Sequence, residues 1–397
     1  MEASSKADQF FTPSFRGRIP KRLLRWFDRH RRDLPWRANR DPYRIWVSEV
    51  MLQQTQVATV LRYFERFIRT FPSIKALAAA PEQDVLRQWE GMGYYRRARH
   101  LHQAARQLSR EHRGHVPDDP EIFASLPGVG RYILGAVLSQ AFDRRLPIVE
   151  ANSRRVLCRL LGKNSGVAEI GWPRLSLRSP GVRSKTGASL RSAPATRPSA
   201  RGDAWLWKAA EELLPVRRVG DFNQALMELG AIVCTPNEPR CGSCPLSEFC
   251  ATKRFGLQAQ IPSRRVAPSE IQVQEVAVVI RRGSRVLLVQ RPSNGRWAHM
   301  WEFPHDQVRP KEKPESAARR IARNGVGLHI QLGRKLLTLK HAVTRHRITL
   351  SCFEGRYLRG TFQSNLYRQK RWLTPGQLHD FPVSAPQRKL ASALLKR

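Results

Sequence analysis

Four of the six cysteines fall within seventeen positions, as Cys234-x6-Cys241-x2-Cys244-x5-Cys250, whereas Cys158 and Cys352 stand alone in apolar surroundings. Four soft thiolates on one loop suit either a tetrahedral zinc ion or a cubane iron-sulfur cluster, and spacing alone favours neither. The two isolated cysteines read as small buried hydrophobes. A second group with chemical potential is Leu126-Pro127-Gly128-Val129-Gly130, set between two helical patterns. Its glycines let backbone amides approach a phosphate closely, and the helix starting at Arg131-Tyr132 adds its dipole and a cation. A third is Glu49, flanked by the apolar stretch Trp46 to Leu52. Burial there would raise a carboxyl pKa and keep a proton in store.

Lysine and arginine number 70 against 32 aspartates and glutamates, a formal charge of +38. So large an excess repels itself unless a polyanion shares it, and nucleic acid is the natural partner. No apolar run approaches the roughly 18 residues that cross a bilayer. Met1-Glu2-Ala3-Ser4-Ser5-Lys6 lacks the features of a secretory signal, so a cytoplasmic protein is expected.

The elements that must position these groups are legible in outline. From Pro20 to Leu161 apolar residues recur three and four apart, with breaks at Phe71-Pro72 and Gly91-Met92-Gly93, which predicts an all-α region. Residues 164–203 turn to Ser, Arg, Pro, Gly and Ala and read as a disordered basic insertion. Helical pattern resumes at Ala204-Trp205-Leu206-Trp207. Later Val276 to Ile280, a turn at Arg282-Gly283-Ser284 and Val286 to Val289 read as strands, with one helix from Glu315 to Arg323. The expected plan is multidomain: a tail (1–19), an all-α domain (20–163 and 204–256) carrying the cysteine loop, a linker (257–271) and an α+β domain (272–397).

Hairpin, a carboxylate about twenty residues later and the cysteine spacing together resemble the helix-hairpin-helix DNA glycosylases of the endonuclease III superfamily. Within it, Leu34-Pro35-Trp36-Arg37, Trp46 to Gln56, Trp89-Glu90-Gly91-Met92-Gly93-Tyr94-Tyr95 and Phe222 to Gly230 resemble the MutY adenine glycosylases. The resemblance implies a [4Fe-4S] cluster on Cys234, Cys241, Cys244 and Cys250. It also implies double-stranded DNA as partner of a monomer, and base excision repair of adenine mispaired with 8-oxoguanine or guanine.

Breaking an adenine-sugar bond calls for an acid to protonate the leaving base and a carboxylate to stabilise the sugar cation. By resemblance Glu49 is the general acid. Glu150, in Pro147 to Leu157, stands where the family has its catalytic aspartate, with Ala151 replacing the usual glycine. The extra methylene moves the carboxylate by roughly an ångström, and misplacement on that scale can cost on the order of a hundredfold in rate. A rival reading is therefore a catalytically weakened lesion-binding protein. Tyr132 stands where bifunctional relatives carry a Schiff-base lysine, which predicts a monofunctional enzyme with Tyr132 hydrogen-bonded to Glu150. Gln54 and Tyr94 match intercalating positions, Gly128 and Gly130 the phosphate-gripping hairpin, and Arg37 and Glu228 are candidates for the adenine pocket. Trp301-Glu302-Phe303-Pro304 resembles the Nudix-like domain that reads 8-oxoguanine. Its helix carries Ala317-Ala318-Arg319-Arg320 where a Nudix hydrolase needs magnesium-binding glutamates. Reading of the lesion is expected from Thr344, Arg345 and His346.

Overall fold

The computed structural model describes residues 13–164, 203–263, 269–295 and 297–395. Apart from its two ends, the expected insertion at 164–203 lies outside the described residues. The helical part comprises α1 (Pro13–His30), α2 (Pro42–Leu52), α3 (Val57–Thr70), α4 (Ile74–Ala79), α5 (Glu82–Gln88) and α6 (Arg96–Glu111). It continues with α7 (Pro120–Ala124), α8 (Arg131–Phe142), α9 (Ala151–Leu161), α10 (Ala204–Glu212), α11 (Val219–Ile232) and α12 (Ala251–Arg254). Then come β1 (Ile271–Arg282), β2 (Arg285–Gln290), β3 (Trp301–Glu302), β4 (His305–Gln307), α13 (Pro314–Arg320), β5 (His329–Val343), β6 (His346–Arg359), β7 (Gln369–Leu373) and α14 (Ala385–Leu395). Residues 13–19, expected in the tail, belong to α1. Ile19 and Leu23, four apart, are both sealed in the core, and that burial holds the segment helical although Pro20 lies inside it.

Two compact units emerge: Met1–Glu49, Pro117–Ser125 and Val129–Arg265 form one, and Val50–Val116, Leu126–Gly128 and Val266–Arg397 the other. In the first, α1, α9 and α11 bury Leu23, Phe27, Leu157, Leu160, Phe222, Leu226 and Leu229 in one core, against which Cys234, Cys244 and Cys250 also pack. Part of the expected linker belongs to this core. Ile261 is buried in it, and its carbonyl accepts from Arg159 Nε at 2.7 Å. Helix crossings are unusually close at two glycines of α11. A Cβ on Gly230 would come within 2.6 Å of Asn152 Cβ, and one on Gly220 within 2.4 Å of the Ser139 carbonyl oxygen. Both ends of α9 are capped, by Glu150 at the start and by Gly162 in the left-handed conformation at the finish.

In the second unit α3 buries Val60, Phe64 and Phe67 along one face, each contributing about 1.5 to 3 kcal/mol of transfer free energy. The seven-stranded mixed sheet runs β3-β2-β1-β6-β5, with β4 also paired to β1 and β7 to β2. β1 and β6 are parallel, and β5 and β6 form a long antiparallel hairpin. One sheet face packs on α14 through Leu390 and Leu394, the other on α13 through Ala317 and Ala318. This unit takes in 50–116, which the expected plan put with the other helices. Within this unit Arg388 of α14 donates through Nε and Nη2 to the two Glu90 carboxylate oxygens at 2.6 and 2.8 Å. Trp301 Nε1 donates to Gln83 Oε1 at 2.9 Å.

Candidate active site and cysteine loop

α2 carries Glu49 into the first unit with 2% of its surface exposed. Tyr132 Oη, in the first turn of α8, donates to Glu49 Oε2 at 2.5 Å. Two turns on, Gln140 Nε2 donates to Glu49 Oε1 at 2.7 Å. Burial raises the Glu49 carboxyl above its ordinary value, the two donors oppose that rise, and the charge of Glu150 adds to it. Tyr132 is pushed well above its ordinary value by burial and by the charges of Glu49 and Glu150.

The expected bond from Tyr132 to Glu150 is not formed, because Glu150 is engaged by its own helix. Its Oε1 accepts from the amides of Asn152 at 2.8 Å and Ser153 at 2.7 Å, and Ser153 Oγ accepts from the Glu150 amide at 2.9 Å, completing a capping box. Burial raises Glu150, and the two backbone hydrogen bonds resist. Asp143, the other carboxylate near this stretch of chain, accepts from the amides of Arg218 and Gly220 at the start of α11.

Glu228 and Arg37, expected at an adenine pocket, are turned toward each other. Glu228 Oε1 accepts from Arg32 Nε at 2.6 Å, and Oε2 accepts from Arg32 Nη2 and Arg37 Nη2, each at 3.0 Å. Arg37 also donates to Gln224 Oε1 at 2.8 Å and to the Arg32 carbonyl at 3.1 Å. Both Glu228 oxygens are thus committed, and a buried carboxylate satisfied by two guanidinium groups has no acceptor left for a base edge. Burial alone would raise Glu228, but hydrogen bonds and charge from Arg32 and Arg37 outweigh it and hold the carboxyl below its ordinary value.

All four clustered cysteines line one pocket, together with Arg159, Arg240 and Gln258. Among the described residues no three His, Cys, Asp or Glu side chains are close enough together to hold a metal ion as they stand. One zinc ion would need all four sulfurs about 2.3 Å from a common centre, whereas a cubane spreads them round a larger body. Four soft sulfur donors lining one pocket suit either a zinc ion or an iron-sulfur cluster. The buried Arg159 donates to Cys234 Sγ at 3.5 Å and to the Thr235 carbonyl at 2.6 Å. Gln258 Nε2 lies 3.9 Å from Cys241 Sγ. Burial pushes the Cys244 thiol up to about 12, so an electropositive centre is needed to hold it as a thiolate. Arg155 reaches from α9 to the carbonyls of Gly230 and Cys234, both at 2.7 Å, and to Asn152 Oδ1 at 2.9 Å.

Gly128 holds φ +82° in the hairpin, where a side chain would be strained, and a Cβ on Gly130, at the start of α8, would meet only open space. Arg131 stacks over the Trp207 ring at 3.9 Å. Gln54 and Tyr94 both lie exposed at positive φ, 56° and 48°, a conformation costly for side chains other than glycine. One residue ties their turns together. Arg97 Nη1 donates to the carbonyls of Val50, Met51 and Gln53, Nη2 donates to Thr55 Oγ1 and the Gly93 carbonyl, and the guanidinium lies 5.3 Å from the Tyr94 ring. Sequence reasoning missed Arg97 and Gln140, since nothing in their spacing marks which carbonyls or carboxylates they reach. Thr344 takes φ +51° at the β5–β6 turn and donates to the Val343 carbonyl at 2.7 Å, with Arg345 exposed beside it.

Residues 47–169 match the HhH-GPD superfamily base excision DNA repair proteins, and residues 275–393 match the NUDIX domain. The chain is 32% identical to human adenine DNA glycosylase over 428 residues, covering 93% of this chain and 72% of that protein. The Rattus norvegicus adenine DNA glycosylase is also 32% identical, with 93% and 76% covered. That of Buchnera aphidicola subsp. Acyrthosiphon pisum is 30% identical over 283 residues, with 71% and 72% covered. A helical unit holding a sealed carboxyl, a cysteine-lined pocket and a sheet domain agrees with that likeness along the chain, which belongs to the adenine DNA glycosylase family of HhH-GPD base excision repair proteins.

Proposed function

We propose that this chain is a monofunctional glycosylase acting as a monomer on double-stranded DNA, in a bacterial cytoplasm, to remove adenine paired with 8-oxoguanine or guanine. The observation carrying this reading is Glu49: a carboxyl sealed from solvent, raised by burial, and oriented at both oxygens by Tyr132 and Gln140. Such a group stores a proton near neutral pH. Glu49 gives that proton to a ring nitrogen of the flipped adenine, and the bond to the sugar breaks with its electron pair leaving on the base. The Glu150 carboxylate balances the cationic sugar. Glu49, now ionised, takes a proton from the water that adds to the sugar carbon.

Tyr132 has no amine, so no Schiff base forms and borohydride should trap no enzyme on DNA. Gln54 and Tyr94 fill the gap left by the flipped base, and Gly128 and Gly130 grip phosphate. Arg37 lines the adenine pocket, with Glu228 fixing its guanidinium. Thr344, Arg345 and His346 read the lesion. Cys234, Cys241, Cys244 and Cys250 hold the [4Fe-4S] cluster, whose contribution is to fix the loop that bears Arg240 toward the DNA backbone.

A second reading, a lesion binder with weakened chemistry, draws on Glu150, one of whose oxygens is occupied by two backbone amides. Single-turnover release of adenine from duplex containing adenine opposite 8-oxoguanine decides between them. Release by the wild-type chain and its loss in Glu49→Gln support the enzyme; release only by Glu150→Asp supports the binder.

A further inference from the structure

Among the described residues of the first unit two glutamates are buried, Glu49 and Glu228, and their partners differ in kind. Glu228 is held by Arg32 and Arg37, whose guanidinium groups can only donate, so its carboxylate is locked as an anion. Glu49 is held by an amide and a hydroxyl, each able both to donate and to accept. Gln140 is itself only 6% exposed, with Nε2 2.7 Å from Glu49 Oε1. A half-turn of its terminal amide would present its oxygen to a protonated Glu49 in place of its nitrogen. The Tyr132 hydroxyl has a comparable second option, because Oη lies 3.6 Å from Met227 Sδ and can direct its proton there while accepting from Glu49.

We infer that Gln140 is a positioning residue for Glu49, reversing its amide to hold that carboxyl in one orientation in both protonation states. The inference rests on the proposed role of Glu49 as a group that gives up and regains a proton within one turnover. A partner that only donated would trap the anion, as at Glu228, and an apolar partner would let the carboxyl rotate. The charged and titratable groups facing Glu49 are Tyr132 from α8, Glu150 from the start of α9 and Arg37 from the short turn Pro35–Arg37. None of them supplies both a donor and an acceptor at Oε1.

Hydrogen bonds to the ionised form are roughly twice as strong as those to the neutral form, so Gln140 on balance favours the anion. Gln140→Leu should therefore move the protonation midpoint of Glu49 up by about one pH unit, a tenfold change in protonated fraction at fixed alkaline pH. Gln140→Lys, a donor only, should move it down. The midpoint is read in the full chain by carboxyl carbon-13 NMR, with Glu49→Gln identifying the signal and Gln140→Met standing in should the leucine variant fail to fold. Single-turnover excision against pH should follow: the alkaline limb shifts up in Gln140→Leu and down in Gln140→Lys, and the leucine plateau falls about tenfold. Unmoved midpoints, or a lower plateau with the limb in place, would overturn the inference. Absence of excision by the wild-type chain would instead sink the proposed function, and the NMR midpoints would still decide the role of Gln140.

Discussion

Glu228 and Glu49 are sealed to 1% and 2% exposure, yet one is held below its ordinary value and the other above it. Opposite consequences for stability follow. For Glu228, depressed by its arginines, the stabilisation is complete above the ordinary carboxyl value of 4.5 and is lost as pH falls through the lower folded value. Glu228→Gln should cost on the order of 3 kcal/mol in urea unfolding at pH 7, the low end for breaking a buried pair because the Arg32 side chain is 38% exposed. The difference should shrink as pH falls below 4.5 toward the lower folded value. For Glu49, raised by burial, the favourable contribution exists below 4.5 and is lost as pH rises through the folded value. Glu49→Gln should then raise the Tm at pH 8 more than at pH 5 while abolishing excision, a gain in stability at the expense of function. Glu150→Asp keeps a strong helix cap and shortens the reach, and should increase the single-turnover rate by up to about a hundredfold. Sequence made the burial of Glu49 legible, since Trp46, Val47, Val50 and Met51 flank it. It could not reveal that Tyr132 points to Glu49, because that choice depends on Glu150 turning its carboxylate onto its own helix.

At the scale of elements, Arg97 of α6 gathers carbonyls from the end of α2 and from the Gly91–Gly93 turn, so the exposed turns of Gln54 and Tyr94 are set by one half-buried cation. Burial pushes the Arg97 guanidinium down to about 10, still charged at neutral pH. Replacing it with glutamine leaves several carbonyls unpaired and two strained turns free to relax. Excision from a fully paired duplex should slow tenfold or more, and a duplex with the adenine in an unpaired bulge should recover most of the loss, since less wedging is needed there. Equal slowing on both duplexes would deny the turns this role. Helices and strands were readable from pattern, as in Val60, Phe64 and Phe67 along α3 and the continuous apolar runs of β1 and β2, buried on both faces. The start of α1 was not, because Pro20 reads as a boundary and only the burial of Ile19 overrides it.

Across the whole molecule, the formal charge of +38 makes affinity for DNA a function of salt. A log-log plot of binding constant against salt should slope by about −0.9 for each phosphate contacted, and Arg131→Ala should flatten it by about one. The cysteine pocket joins the core of the first unit, so Cys244→Ser should lose iron and acid-labile sulfide together and lower the Tm. A helical domain followed by a sheet domain was legible from the switch of period near residue 272, while the Glu90 to Arg388 pair was not, since it joins residues almost three hundred positions apart. At the tight crossings of α11, an added methyl at Gly220 or Gly230 meets backbone atoms that cannot move aside. In a saturation mutagenesis screen scored by mutation rate alone, these two glycines would look as indispensable as Glu49. Only a parallel measure of protein abundance would sort them, with the glycine variants degraded and the glutamate variants present but inert.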